Sequence, residues 1–98
     1  MPEVRKTLEK YILIRYTRRT GTIDTVLEAH GTAGLQLWAV NNTTRSKDCF
    51  VFEYETGKVI YLIKGMPNGC PKVEDTGLGN IDNYCPGLLA EIHRQSKK

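Results

Sequence analysis

Apolar and polar side chains alternate with a period of two along the first part of the chain. Over residues 10–18, Ile12, Ile14 and Tyr16 fall on one face and Tyr11, Leu13, Arg15 and Thr17 on the other. β-branched and aromatic residues dominate this stretch, which predicts a strand. Arg19-Thr20-Gly21-Thr22 predicts a turn, with the glycine free to take a positive φ. A weaker alternation over 22–30 completes a first hairpin. Leu35, Trp38 and Ala39 then recur at i, i+3 and i+4 behind Thr32, a candidate N-cap, and predict a short helix over 33–41. The clearest alternation follows. Phe50, Phe52 and Tyr54 interleave with Cys49, Val51, Glu53 and Glu55, the segment Glu55-Thr56-Gly57-Lys58 turns, and an apolar run over 59–63 returns. This predicts a second hairpin over 48–65. Its returning arm is apolar on both faces and reads as an interior strand.

Between 65 and 87 the texture changes to one rich in glycine (65, 69, 77, 79, 87) and proline (67, 71, 86), which predicts a long loop. Pro86 then suits the first turn of a closing helix carrying Leu88, Leu89 and Ile92, with Arg94, Lys97 and Lys98 at its negative end. The order ββαββα predicts one α+β domain over 1–98, a four-stranded, largely antiparallel sheet with both helices packed on one face. The expected core is Ile12, Ile14, Tyr16, Leu35, Trp38, Phe50, Phe52, Tyr54, Leu88, Leu89 and Ile92.

A chain of 98 residues with 40% hydrophobic and 26% charged residues has room for one modest core and is not disordered in composition. No run approaches the roughly 18 apolar residues of a membrane helix. No signal-type apolar segment follows the charged start, so a cytoplasmic protein without membrane contact is expected. The net charge of +3 is mild, but it is concentrated. Arg5, Lys6, Lys10, Arg15, Arg18 and Arg19 face only Glu3 and Glu9 in the first 19 residues.

Little in the chain points to catalysis. Three cysteines, Cys49, Cys70 and Cys85, are an odd number for a disulfide framework and lack the paired spacing of zinc ligands. The acids Glu74, Asp75 and Asp82 lack the alternating pattern of a calcium loop. Asp75-Thr76-Gly77 is the triplet of aspartic proteases, but it comes late, after Lys72-Val73-Glu74 rather than after an apolar strand, with only 21 residues beyond it where that family has its flap hairpin following. Gly77-Leu78-Gly79 precedes no lysine and is not expected to follow a strand, so it does not read as a phosphate loop. Cys85, ahead of a helix start that lowers thiol pKa values, is the best candidate for a reactive thiol and for a remote thiol-enzyme reading. No metal and no cofactor are expected.

What remains is recognition. Arginines and aromatics on an open sheet face grip single-stranded nucleic acid, and the basic first hairpin makes that the alternative reading. Against it, Glu53 and Glu55 fall among the aromatics, where they can answer the arginines across the sheet. The favoured reading is a non-catalytic binding protein. Its expected role is a regulator or inhibitor, of the kind phages and plasmids encode, acting by protein–protein contact on a larger, nucleic-acid-processing machine. Arg15, Arg18 and Arg19 are the expected contact residues. A homodimer is compatible with this reading.

Overall fold

The computed structural model describes residues 9–96. Arg5 and Lys6 of the basic start, and Lys97 and Lys98 of the basic end, lie outside them. The elements are β1 (Tyr11–Thr17), β2 (Ile23–Ala29), α1 (Ala33–Asn42), β3 (Lys47–Glu53), β4 (Val59–Lys64), β5 (Lys72–Glu74), a single 3-10 turn (Ile81–Asn83) and α2 (Leu88–Ser96). The result is a small α+β fold with one antiparallel sheet in the order β2-β1-β3-β4-β5.

Both predicted hairpins form, and β4 lies inside the sheet as its apolar run predicts. The predicted strand count of four is corrected to five. Inside the expected loop, Lys72, Val73 and Glu74 pair with Lys64, Ile63 and Leu62. Three residues between Pro71 and an acid-rich turn show too short an alternation to be read as a strand. Helix α1 starts where Thr32 predicts, although the threonine side chain makes no capping hydrogen bond.

The expected packing of both helices on one face is also corrected. They lie on opposite faces. Ile12, Ile14, Phe50, Phe52 and Leu62 point to one side, where Leu78, Ile81 and the partly buried Leu88, Leu89 and Ile92 of α2 cover them. Leu13, Cys49, Val51 and Ile63 point to the other side and meet Leu35 and Ala39 of α1, flanked by Trp38 and Tyr61. The physical reason is β3, whose residues from Asp48 to Phe52 are all buried. A strand apolar on both faces needs a cover on each, and one helix on each side supplies it.

The 3-10 turn is tied to the second hairpin. Ile81 N–H donates to the Gly57 carbonyl at 2.8 Å, and Val59 N–H donates to the Gly79 carbonyl at 2.9 Å. Asn80 anchors the same junction, its Nδ2 donating to the Thr56 carbonyl at 2.8 Å while its Oδ1 accepts from Asp82 N–H. Gly57 has φ +80°, and a Cβ there would come within 2.8 Å of both Asn80 Oδ1 and Leu89 Cδ2. Among the described residues no helix is long and apolar enough to cross a membrane.

Candidate interaction surface at the basic end of the sheet

Antiparallel pairing brings the finish of β1 and β4 beside the start of β2, β3 and β5, as the pairs Thr17 with Lys47 and Lys64 with Lys72 show. Charge is segregated along this axis. Arg15, Arg18, Arg19, Arg45, Lys47, Lys64 and Lys72 gather at this end, against Asp24, Asp48 and Glu74. Among the described residues of the strands and the turns that flank them, the opposite end holds Glu9, Glu28, Glu53, Glu55, Asp75 and Asp82 with Lys10 and Lys58. The sheet therefore has a basic end and an acidic end.

Within the basic end the arginines do different things. Arg18 is locked in place. Its Nε donates to Asp48 Oδ2 at 3.0 Å, and its Nη2 donates to Asp48 Oδ1 at 2.8 Å and to the Gly65 carbonyl at 2.8 Å. Asp48 is 3% exposed and also accepts from Gly65 N–H at 2.9 Å. A buried carboxylate is thus matched by a bidentate guanidinium and a backbone donor, the arrangement that makes such burial tolerable. These bonds raise the Arg18 pKa further above its usual range. Gly65 is part of the fit, because a Cβ there would fall 1.5 Å from the Thr44 carbonyl oxygen.

Arg15 is engaged on the other face. Its Nε donates to Asp24 Oδ1 at 2.9 Å, its Nη1 donates to the Asn42 carbonyl at 3.1 Å, and its guanidinium lies 5.5 Å from the Trp38 ring centre. Asn42 ends α1, which has no basic residue in its last turn. Arg15 supplies the cation that the helix C-terminus favours. Asp24 also accepts from Lys47 Nζ and Thr25 Oγ1. Hydrogen bonds from Arg15, Lys47 and Thr25 hold its carboxyl well below the usual carboxylate range.

The expected answer of these arginines to Glu53 and Glu55 is therefore corrected to Asp24 and Asp48. Glu53 pairs with Tyr11 at the far end of β1, which puts it out of reach. Arg19 behaves differently from its neighbours. It is exposed and makes no ion pair among the described residues. Arg45, in the turn before β3, is exposed and unpaired in the same sense. Thr17, Arg18, Arg19, Arg45 and Ser46 line one shallow depression, held together by the bond from Arg18 N–H to the Ser46 carbonyl at 2.9 Å. Arg45 escaped the sequence reading because it sits in a polar connection. Only the pairing of β1 with β3 brings it to Arg19.

Cys49, Cys70 and Cys85 are all free. Burial pushes the Cys85 thiol up, opposite to the lowering expected from a helix start, because it packs beneath the α2 side of the sheet. Burial likewise raises Cys49. Among the described residues no group of three or more His, Cys, Asp or Glu side chains is placed to hold a metal ion. Comparison with protein-family models, with curated proteins and with solved structures finds no match.

Proposed function

We propose that this protein is a non-catalytic binding domain that docks on an acidic surface of a larger protein through the basic end of its sheet. The carrying observation is the pair of exposed arginines without carboxylate partners among the described residues, Arg19 and Arg45, in one depression beside the fixed Arg18. Arginine on a rigid base loses little freedom when it forms bidentate bonds to a partner carboxylate. Arg18 and Arg15 supply the base, held by Asp48 and by Asp24 with the end of α1. The role this supports is that of a regulator or inhibitor.

A protein partner is favoured over nucleic acid by the fate of the aromatic strand. Phe50 and Phe52 are at most 1% exposed beneath the α2 side, so they offer no stacking platform for bases. Asp24 and Glu74 also break the run of cations that a phosphate backbone follows.

Capture on a tagged copy, with and without nuclease, followed by a binding titration, tests this reading. The partner is expected to survive nuclease. The double substitution Arg19→Ala/Arg45→Ala is expected to raise Kd at least about tenfold, roughly 1.4 kcal/mol, and to leave the melting temperature unchanged. Nuclease-sensitive capture with a steep salt dependence would move the assignment to nucleic acid. Unchanged affinity in the double variant would remove this surface from consideration.

A further inference from the structure

The two edges of the sheet are unlike. The β5 edge is three residues long, follows Pro71 and carries Lys72, all devices that discourage strand addition. The β2 edge is seven residues long and contains neither proline nor lysine. Among the described residues no strand lies beside its outer row of backbone donors and acceptors. At its middle Val26 is 53% exposed, although its partner Ile14 on β1 is fully buried.

We propose that β2 pairs antiparallel with β2 of a second copy of this chain, forming a two-fold dimer with one continuous sheet of ten strands. The choice of a second copy rests on charge. Strand β2 starts at the basic end and finishes at the acidic end, where Lys10 bonds Glu28 at 3.1 Å. Antiparallel pairing across a two-fold axis sets the basic end of each copy beside the acidic end of the other. Self-association thus brings ends of opposite charge together at the two limits of the contact.

The bulge in β2 removes the main objection. Asp24 and Glu28 would both present carboxylates along a regular edge. Pairing runs from Arg15 with Thr25 directly to Tyr16 with Ile23, leaving Asp24 out of register and bound to Arg15 and Lys47. The regular stretch is then 25–29, whose side chains other than Glu28 are uncharged. The inference goes beyond the proposed function, because the dimer forms at the β2 edge and presents two copies of the arginine depression on opposite margins of the sheet.

Sedimentation of the purified chain over a wide concentration range tests the proposal. A species of twice 11.1 kDa is expected to appear with rising concentration and to weaken as salt is added. Val26→Glu places a glutamate against its own copy or against Glu28 of the other, in registers centred on Val26 or Leu27. It is expected to raise the dimer dissociation constant at least about tenfold. Val73→Glu on the opposite edge is the control and is expected to leave the dimer intact. Hydrogen exchange of wild-type protein supplies a measurement that needs no variant, with the amides of 25–29 expected to slow as concentration rises. A monomer at every concentration, a Val26→Glu protein as dimeric as wild type, disruption by Val73→Glu instead, or concentration-independent exchange in β2 would each overturn the proposal.

Discussion

The two faces of the sheet draw on alternate residues of the same strands and are nevertheless built differently. The face toward α2 is aromatic. Phe50 stacks with Tyr16 at 5.6 Å between ring centres and meets Tyr84 at 4.6 Å, while Tyr84 donates to the Leu78 carbonyl at 2.6 Å. Its cover is composite, from Leu78 through the 3-10 turn to α2. The face toward α1 is aliphatic and thin. Leu13, Val51 and Ile63 meet one helix that contributes only Leu35 and Ala39 as fully buried residues, with Trp38 at the margin. Each face also ends in its own arginine–aspartate clamp. Arg18 with Asp48, on the Tyr16 side, joins a half-exposed guanidinium to a buried carboxylate, and Arg15 with Asp24, on the α1 side, leaves both partners partly exposed. A sheet with two covers need not divide its stability equally, and here the irregular, loop-rich cover protects the larger side chains.

Substitution on each face tests that inequality most directly. Phe50→Ala is expected to destabilise by about 3–5 kcal/mol, because it empties the middle of the aromatic cluster. Trp38→Ala removes a larger side chain, but one only partly buried at the margin of the cluster under Arg15. Its cost is expected to stay below about 3 kcal/mol. Urea unfolding of both variants decides the matter, and a Trp38 variant as weak as the Phe50 variant would make the two faces equal partners.

The clamps give the next contrast. Asp48→Ala leaves the Gly65 N–H buried without its acceptor and Arg18 without its carboxylate. A loss of about 1–3 kcal/mol is expected, discounted because Arg18 itself is half-exposed. Equal stability of wild type and Asp48→Ala in the same unfolding assay would show that the burial brings no net gain.

The smallest effect belongs to Asp24, and pH exposes it. Its folded-state pKa lies below the unfolded value, so its stabilisation is complete above the unfolded pKa. That stabilisation is lost as pH falls through about 4 toward the folded value. The melting temperature of Asp24→Asn should therefore fall slightly below wild type at neutral pH, and the gap should close on acidification and in high salt. A gap independent of both would assign Asp24 a packing role rather than an electrostatic one.

The unequal faces also explain what the amino-acid pattern disclosed. Alternation in β1 and β3 and the stripe in α2 identified nine of the residues beneath α2, from Ile12 to Ile92. The opposite face was legible only through Leu35 and Trp38. Leu13, Cys49, Val51 and Ile63 alternate with residues that are equally apolar, so period two carries no contrast there. Helix α1 adds to the ambiguity, because Leu37 is 64% exposed amid its apolar neighbours. At the arginine surface the sequence supplied residue types and charge density. It could not supply the pairing that matches Arg15 and Arg18 with Asp24 and Asp48 while leaving Arg19 and Arg45 unpaired among the described residues, because those partners lie 9 and 30 residues away along the chain.

The contact between Gly65 and the Thr44 carbonyl bears finally on how freely this sequence can drift. A side chain at 65 would collide with backbone, which cannot swing aside as a flexible side chain can. No neighbouring substitution restores the room without parting the loop before β3 from the end of β4. Gly31 and Gly34 face open space and lack a positive φ, so other residues can replace them at little steric expense. A variant chain that keeps the buried Asp48 junction is thus bound to glycine at 65, while the helix entrance at 31–34 can vary widely around the same fold.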